Sequence, residues 1–151
     1  MTPARERVDR IADARELLTG EAEATVCEIT LALGEIALHV GNGSEAEERL
    51  RTSCAVLESK NAPAWCEALG ALGEALAIRD PVGAVVYLDQ AIAAARTGGW
   101  HHIHASSLCR RARALGDRRS LREAEELAER SAEEEGSRLW RDLRRTEAAL
   151  G

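Results

Sequence analysis

The sequence predicts an all-α protein, built as a short stack of repeated helix pairs. Its 151 residues, 45% hydrophobic and 30% charged, are enough to bury the core of one domain. Alanine and leucine supply 28 and 18 residues against three prolines and four aromatic residues, which favours helices over strands. Two further observations, the spacing of turn residues and an internal repeat, indicate how these helices are arranged.

Turn residues divide the chain into eight segments of helical length. The breaks fall at Thr19-Gly20, Gly41-Asn42-Gly43, Lys60 to Pro63, Arg79 to Pro81, Thr97 to Gly99, Gly116-Asp117 and Gly136. Apolar residues recur at helical spacing within each segment, as Ile29, Leu33 and Ile36 do in the second. We therefore expect eight helices joined by short turns, with N-cap oxygens from Ser44, Asp80, Asp117 or Ser120, and Ser137.

An internal repeat relates three of the segments. Residues 27–35 (CEITLALGE) recur as residues 66–74 (CEALGALGE), with six of nine positions identical. A weaker third copy covers residues 108–117, where Leu108-Cys109 takes the place of Leu72-Gly73. Three copies predict a helical solenoid, in which each repeat buries its apolar face on the next.

Each repeated helix is followed by a turn and a second helix with small residues seven apart. The turn is Gly41-Asn42, Arg79-Asp80 and Gly116-Asp117 in the three copies. The first of the two small-residue positions that follow is occupied by Ala46, Ala84 and Leu121. The whole pattern resembles the tetratricopeptide repeat, of the loose type found in large actinobacterial regulators, and the resemblance covers about residues 21 to 135. It implies a right-handed superhelix in which the Gly34, Gly73 and Cys109 positions let paired helices approach closely. The spacing between copies exceeds the usual period of about 34 residues, and Leu121 is large for its position.

We interpret the chain as one repeat domain with an added helix at each end. Residues 1–20 form an N-terminal helix, 21–61, 62–99 and 100–136 form repeats 1 to 3, and 137–151 form a C-terminal capping helix. Arginines in the two end helices would give them the polar outer face that terminal repeats require.

In the tetratricopeptide arrangement the first helix of each pair lines a concave groove. Aligning the copies on Gly34 predicts which side chains a ligand would meet: Glu28, Leu31, Glu35, Leu38, His39, Glu67, Glu74, Ile103, Ser106, Arg110 and Arg113. Four of them are glutamates in register, which helix geometry would place in a rough square with sides of ~10 Å. That spacing is too wide for a shared metal ion and suits an extended cationic partner.

The sequence therefore favours a non-enzymatic protein-interaction module, an adaptor or regulatory subunit that binds a basic or amphipathic peptide in an acidic groove. Leu31, Leu38 and Ile103 would supply its apolar contacts. Helix-forming glutamates on a solvated face are the alternative reading of the acidic ladder. We expect no cofactor.

A small-molecule or catalytic site between the groove and the Trp100 to His104 turn is the competing function. A pocket bounded by Trp65, Trp100, Glu67, Glu74 and Arg110 could hold a carboxylate of raised pKa that acts as a base. No nucleophile-activating motif accompanies Ser106 or Cys109, and Cys109 occupies a packing position. The histidine cluster of residues 101–104 offers two ligands at most on one helix face, so we predict no metal site.

Charge and cysteine usage narrow the environment and the partners. Residues 21–95 hold four basic and twelve acidic side chains, which would repel the phosphates of nucleic acid. No apolar run approaches the ~18 to 20 residues of a membrane span, and no signal-like segment opens the chain. Four cysteines without a C-x-x-C pair fit buried thiols in a reducing cytoplasm.

The last segment carries more apolar surface than a solvated cap requires. Trp140, Leu143 and Leu150 share one helical stripe with Glu147, and only part of that stripe would pack on the third repeat. A symmetric homodimer through this helix would bury the remainder, since a two-fold contact closes on itself.

Overall fold

A computed structural model describes residues 22, 23, 25–131 and 137–151, which form an all-α protein. Its seven helices are α1 (residues 25–39), α2 (Gly43–Leu57), α3 (Ala62–Leu76), α4 (Pro81–Gly98), α5 (His101–Leu115), α6 (Arg118–Arg130) and α7 (Arg138–Leu150). They match segments two to eight of the sequence prediction, and residues 1–20, the predicted N-terminal helix, lie outside the described residues. None of the described helices is long and apolar enough to cross a membrane.

Side-chain caps start most of the helices. Asp80, Asp117 and Ser137 accept hydrogen bonds from the free backbone amides of α4, α6 and α7, as the sequence predicted. The prediction for α2 was wrong, because Asn42 and not Ser44 is the cap. The Asn42 side chain accepts a hydrogen bond from the Glu45 backbone N–H and donates one to the Glu45 carboxylate. Ser44 lies too far along the chain to make this reciprocal pair of hydrogen bonds.

Left-handed glycines end two helices at predicted breaks. Gly99 and Gly116 have φ of +70° and +66°, a conformation that side chains other than glycine rarely adopt. Their backbone N–H groups return to carbonyls of the preceding turn. The chain reverses there, so α5 and α6 can fold back on the helices before them.

The helices pack in a repeat-like pattern. Each of α2 to α6 contacts the next helix in the chain. In addition α3 contacts α5, and α5 contacts α7, whereas α2 and α4 meet through long side chains, where Arg51 donates a hydrogen bond of 3.3 Å to the Tyr87 hydroxyl. The odd-numbered helices therefore form one layer, and the even-numbered helices cover its outer side.

The first two repeats are equivalent in their closest helix contacts. A methyl group added at Gly34 would lie 2.8 Å from Cγ of Leu50, and one added at Gly73 would lie 2.6 Å from Cγ of Leu88. Glycine at both positions lets the second helix of each pair approach the first, as the resemblance implied. In the third pair Cys109 and Leu121 are both buried, so larger side chains fill the same contact.

A second contact recurs in each of these helix pairs, two turns before the glycine of the first helix. The hydroxyl of Ser53 donates to the carbonyl of Cys27 over 3.1 Å, and the thiol of Cys66 donates to the carbonyl of Ala91 over 2.9 Å. The donor lies on the second helix of the first pair and on the first helix of the second pair. The bonded positions are nevertheless equivalent in the repeat alignment, Cys27 with Cys66 and Ser53 with Ala91. All four cysteines are free thiols, three of them buried.

Candidate functional site

A cleft of about 640 Å³ opens on the layer of odd-numbered helices. Helices α1, α3, α5 and α7 all contribute to it: Ala32, Glu35, Ile36, Leu38 and His39; Glu67 and Glu74; His102, Ser106, Arg110 and Arg113; Arg138, Leu139, Arg141, Asp142 and Arg145. Residues of α3 and the middle of α5 form a half-buried floor, and exposed side chains of α1 and α7 form the rim. The cleft lies where the sequence analysis placed the groove.

The cleft brings together eight of the eleven residues predicted for the groove: Glu35, Leu38, His39, Glu67, Glu74, Ser106, Arg110 and Arg113. The other three lie elsewhere. Leu31 is buried in the core with Leu50, because it shares the α2-facing side of α1 with Cys27 and Gly34. Ile103 packs against the core around Cys66 and Leu69. Glu28 is exposed and accepts a hydrogen bond of 2.8 Å from the Asn61 amide.

One whole wall of the cleft was missed by the sequence analysis. Helix α7 was interpreted as a cap, but it packs on α5 as α5 packs on α3 and so acts as a fourth odd-numbered helix. The spacing of Arg138, Arg141 and Arg145 at i, i+3 and i+7 marks one polar helix face and was the available signal. Ala32, Ile36 and His102 were missed too, because the alignment assigned one narrow stripe to each helix.

A closed network of ion pairs forms the floor of the cleft. Arg110 donates to Glu74 over 2.8 Å and to Glu35 over 2.7 Å. Arg113 donates to Glu74 over 2.8 Å, to Asp142 over 2.6 Å and to the hydroxyl of Thr146 over 2.8 Å. The network joins α1, α3, α5 and α7, and the side chains of Glu74 and Arg113 are only 12% and 9% exposed.

This network changes the expected electrostatics of the groove. Two of the four aligned glutamates, Glu35 and Glu74, are neutralised by arginines of the same chain. The cleft as a whole is lined by four carboxylates and five arginines. Two corners of the acidic square that the sequence predicted are therefore neutralised, because pairing within the chain was not visible from the spacing of the glutamates alone.

The two glutamates of α3 have pKa values shifted in opposite directions. Burial would raise the pKa of Glu74, but hydrogen bonds from Arg113 and Arg110 and their charges outweigh it, and the pKa is lowered. The pKa of Glu67 is raised by burial first and by the charge of Glu35 second, against the opposing charges of Arg110 and Arg138. The surroundings of Glu74 thus favour its ionised form, whereas Glu67 is ionised at a cost.

The alternative catalytic pocket is not assembled as predicted. Trp65 and Trp100 pack against the core and do not line the cleft, although Glu67, Glu74 and Arg110 do. Cys109 is fully buried, and burial raises the pKa of its thiol to about 12, which suits a packing residue. No group of three potential metal ligands occurs among the residues that the structure describes.

His104 lies beside the cleft-lining part of α5 but faces a different environment. Its pKa is lowered by burial first and by the charge of Arg96 second. Its Nε2 atom is buried and has no hydrogen-bond partner within the described residues. Both facts favour the neutral form of the imidazole.

Comparison with known proteins identifies no relative. Neither a protein-family model, nor a curated protein, nor a solved structure matches this chain.

Proposed function

We propose that this protein is a non-enzymatic protein-interaction module, a cytoplasmic adaptor or regulatory subunit, that binds a peptide segment in the cleft of its odd-numbered helices. We further propose that the helices continue as a right-handed superhelix of the tetratricopeptide type. The equivalent contacts at Gly34 and Gly73 support this superhelix, since they repeat the same helix approach from one pair to the next.

The observation that carries the proposal is the shape and lining of the cleft. Its floor is held rigid by the ion pairs of Arg110 and Arg113, so the side chains above it are presented on a fixed surface. Its rim offers both apolar contact, at Ala32 and Ile36, and charge, on α7. An amphipathic peptide needs both kinds of contact along one groove.

Small-molecule binding is the second candidate. A volume of about 640 Å³ falls in the range of ~300 to 1,000 Å³ typical of ligand pockets. The cleft also reaches His102 and Ser106, near the turn where the sequence analysis placed this alternative. Thermal unfolding of the protein against a metabolite library would reveal such a ligand as an increase in Tm.

Peptide display tests the interaction function directly. A library of random peptides is selected on the immobilised protein, and the enriched peptides are measured by fluorescence anisotropy. Ala32→Trp would place an indole in the cleft from an exposed position of α1. We expect this variant to weaken the selected peptides by about tenfold or more, which corresponds to ~1.4 kcal/mol.

The matched control is Ala93→Trp, which adds the same indole at an exposed position of α4 outside the cleft. It should bind like the wild type. Failure to enrich any peptide over a blank surface would contradict the interaction function. Equal binding by the two tryptophan variants would place the peptide site outside the cleft.

A further inference from the structure

The rim of the cleft carries positive charge that the ion pairs of the floor do not neutralise. Arg138, Arg141 and Arg145 all line the cleft and all are exposed. Every ion pair at the cleft that joins two described residues is made by Arg110 or Arg113. The three rim arginines therefore face solvent from one side of α7.

Three of the four carboxylates that line the cleft are already engaged, and the fourth, Glu67, is half-buried on the floor and meets the charge of Arg138 alone among the rim arginines. Glu74 and Asp142 are bound by Arg113, and Glu35 is bound by Arg110. These acids are also recessed, with side chains no more than 26% exposed. A ligand that approaches from solvent meets the arginines first and meets these three acids only as closed pairs.

The spacing of the rim arginines selects a repeated anion over a single one. Residues at i, i+3 and i+7 on a helix lie ~4.5 and ~10.5 Å apart along its axis. Carboxylates on one face of a helical peptide, or on alternate residues of an extended one, have a comparable spacing. Arginine is suited to such groups because its planar fork can bind a carboxylate through two hydrogen bonds.

The wall opposite the arginines offers apolar side chains. Ile36 is 58% exposed on α1, beside the small side chain of Ala32. A peptide in the cleft would therefore have α7 on one side and α1 on the other. Such a peptide would need charged side chains on the face toward α7 and apolar side chains on the face toward α1.

We infer that the peptide segment bound by the cleft is acidic and amphipathic, with its carboxylates on Arg138, Arg141 and Arg145 and its apolar side chains on Ile36. This inference rests on the proposed peptide-binding function and replaces the basic partner that the sequence alone suggested.

The composition of the displayed peptides tests the inference apart from the function it rests on. We expect the pool selected by the wild-type protein to be enriched in Asp and Glu and depleted in Lys and Arg relative to the input library. A pool enriched in Lys and Arg, or one without charge preference, would overturn the acidic partner and leave the interaction module standing. A library that yields no peptide at all would remove both.

Charge reversal on α7 tests whether the rim is responsible. The double variant Arg141→Glu/Arg145→Glu is compared with Arg122→Glu/Arg130→Glu, which makes the same charge change at exposed positions of α6 outside the cleft. The variant loses two exposed ion pairs and gains two like charges, so we expect an acidic peptide from the wild-type pool to bind the α7 variant about tenfold or more weakly. The α6 variant should retain wild-type affinity.

The salt dependence of the affinity distinguishes the charged contacts at the rim from the apolar contacts. Raising the salt from about 0.05 to about 0.5 M should weaken the wild-type complex and have less effect on the α7 variant, since screening acts on exposed charges. Circular dichroism of both variants establishes that they remain helical. Equal affinity of the two variants for the acidic peptide would overturn the assignment of its carboxylates to α7.

Discussion

Glu67 and Glu74 lie two helical turns apart on α3, and both line the cleft, yet their surroundings give them opposite effects on stability. Glu74 is bonded to two arginines, whereas Glu67 is half-buried with the charge of Glu35 nearby. The difference comes from the side chains that α5 and α7 bring to each position. It can be measured with one isosteric substitution at each site.

We expect Glu74→Gln to lower the free energy of unfolding at pH 7.5 by about 3 kcal/mol, because two recessed arginines lose their shared partner. The pKa of Glu74 is lowered from its ordinary value of 4.5, so its contribution to stability is complete above that value and is lost as the pH falls through the lowered pKa. Urea unfolding across this pH range is the measurement. A loss that does not shrink in acid would contradict the ion-pair explanation.

Glu67→Gln should have the opposite sign. Because burial raises the pKa of Glu67, its ionised form costs stability above that pKa, and the cost disappears as the pH falls toward the ordinary value of 4.5. The variant should therefore be slightly more stable than the wild type at pH 7.5 and equal to it near pH 4. Destabilisation at pH 7.5 would show instead that Arg110 and Arg138 depend on this carboxylate.

The four thiols should be protected in the native protein. Burial raises the pKa of Cys66 to about 11 and that of Cys54 and Cys109 to about 12, and the pKa of Cys27 is raised by burial and by Glu23. At pH 8 the thiols of Cys54, Cys66 and Cys109 are almost entirely protonated, and burial disfavours the thiolate of Cys27 as well. Titration with a chromogenic disulfide should proceed slowly until denaturant is added and should then reach four thiols. A fast native phase would identify a thiol that opens locally.

At the scale of helices, the glycines of α1 and α3 determine how closely each pair can pack. An added Cβ at Gly73 would meet both Leu88 and the backbone oxygen of Ala84, the latter at 3.1 Å. At Gly34 the nearest atoms all belong to side chains, those of Leu50 and Arg49. Backbone cannot move aside as a side chain can, so the two positions differ in tolerance.

We expect Gly73→Ala to destabilise the protein by about 1 to 3 kcal/mol through overpacking, with a smaller loss for Gly34→Ala. Gly43→Ala is the matched control, because nothing lies within 4 Å of the added methyl group. Alanine is the better helix former by up to ~1 kcal/mol, so the control should be neutral or stabilising. The midpoints of urea unfolding, compared at constant m-value, rank the three variants by stability. A Gly73→Ala variant more stable than the wild type would disprove the close contact.

At the scale of the whole molecule, apolar exposure lies at the opposite end from where the sequence analysis sought it. Leu139 and Leu143 are buried in the core of the protomer, and Trp140 and Leu150 pack against it. The exposed apolar residues of α1 instead form a stripe: Val26, Ile29, Leu33, Ile36 and Val40. A homodimer through α7 stays a prediction, but α7 has less free surface to bury than its sequence suggests.

Leu143→Ala distinguishes packing from association. Leu143 is 2% exposed, so its truncation should cost about 2 to 5 kcal/mol within the protomer. We expect Tm to fall while the mass measured by light scattering is unchanged. A halved mass with an unchanged Tm would place Leu143 in a dimer contact instead.

Local pattern was sufficient to predict most of the fold. Helical periodicity and the turn glycines identified the seven described helices, since both signals act over a few residues. The repeat predicted that Gly34 and Gly73 would be equivalent, and the structure places both against a leucine of the next helix. The cap of α2 was misassigned because Asn42 and Ser44 both carry capping side chains within two residues.

What the sequence determined by itself is therefore the helices, their order and the register of the repeats, because each depends on residues close together in the chain. The tertiary structure decided the chemistry of the cleft. Arg110 meets Glu74 and Glu35, which lie 36 and 75 positions earlier in the sequence, and α7 closes the opposite wall. Such pairings depend on how whole helices stack, and no spacing within one helix reports which distant charge will lie beside it. Three of the four glutamates that the sequence predicted for the groove line the cleft, and only the fold decided that arginines neutralise two of them and that the free charge of the rim is positive.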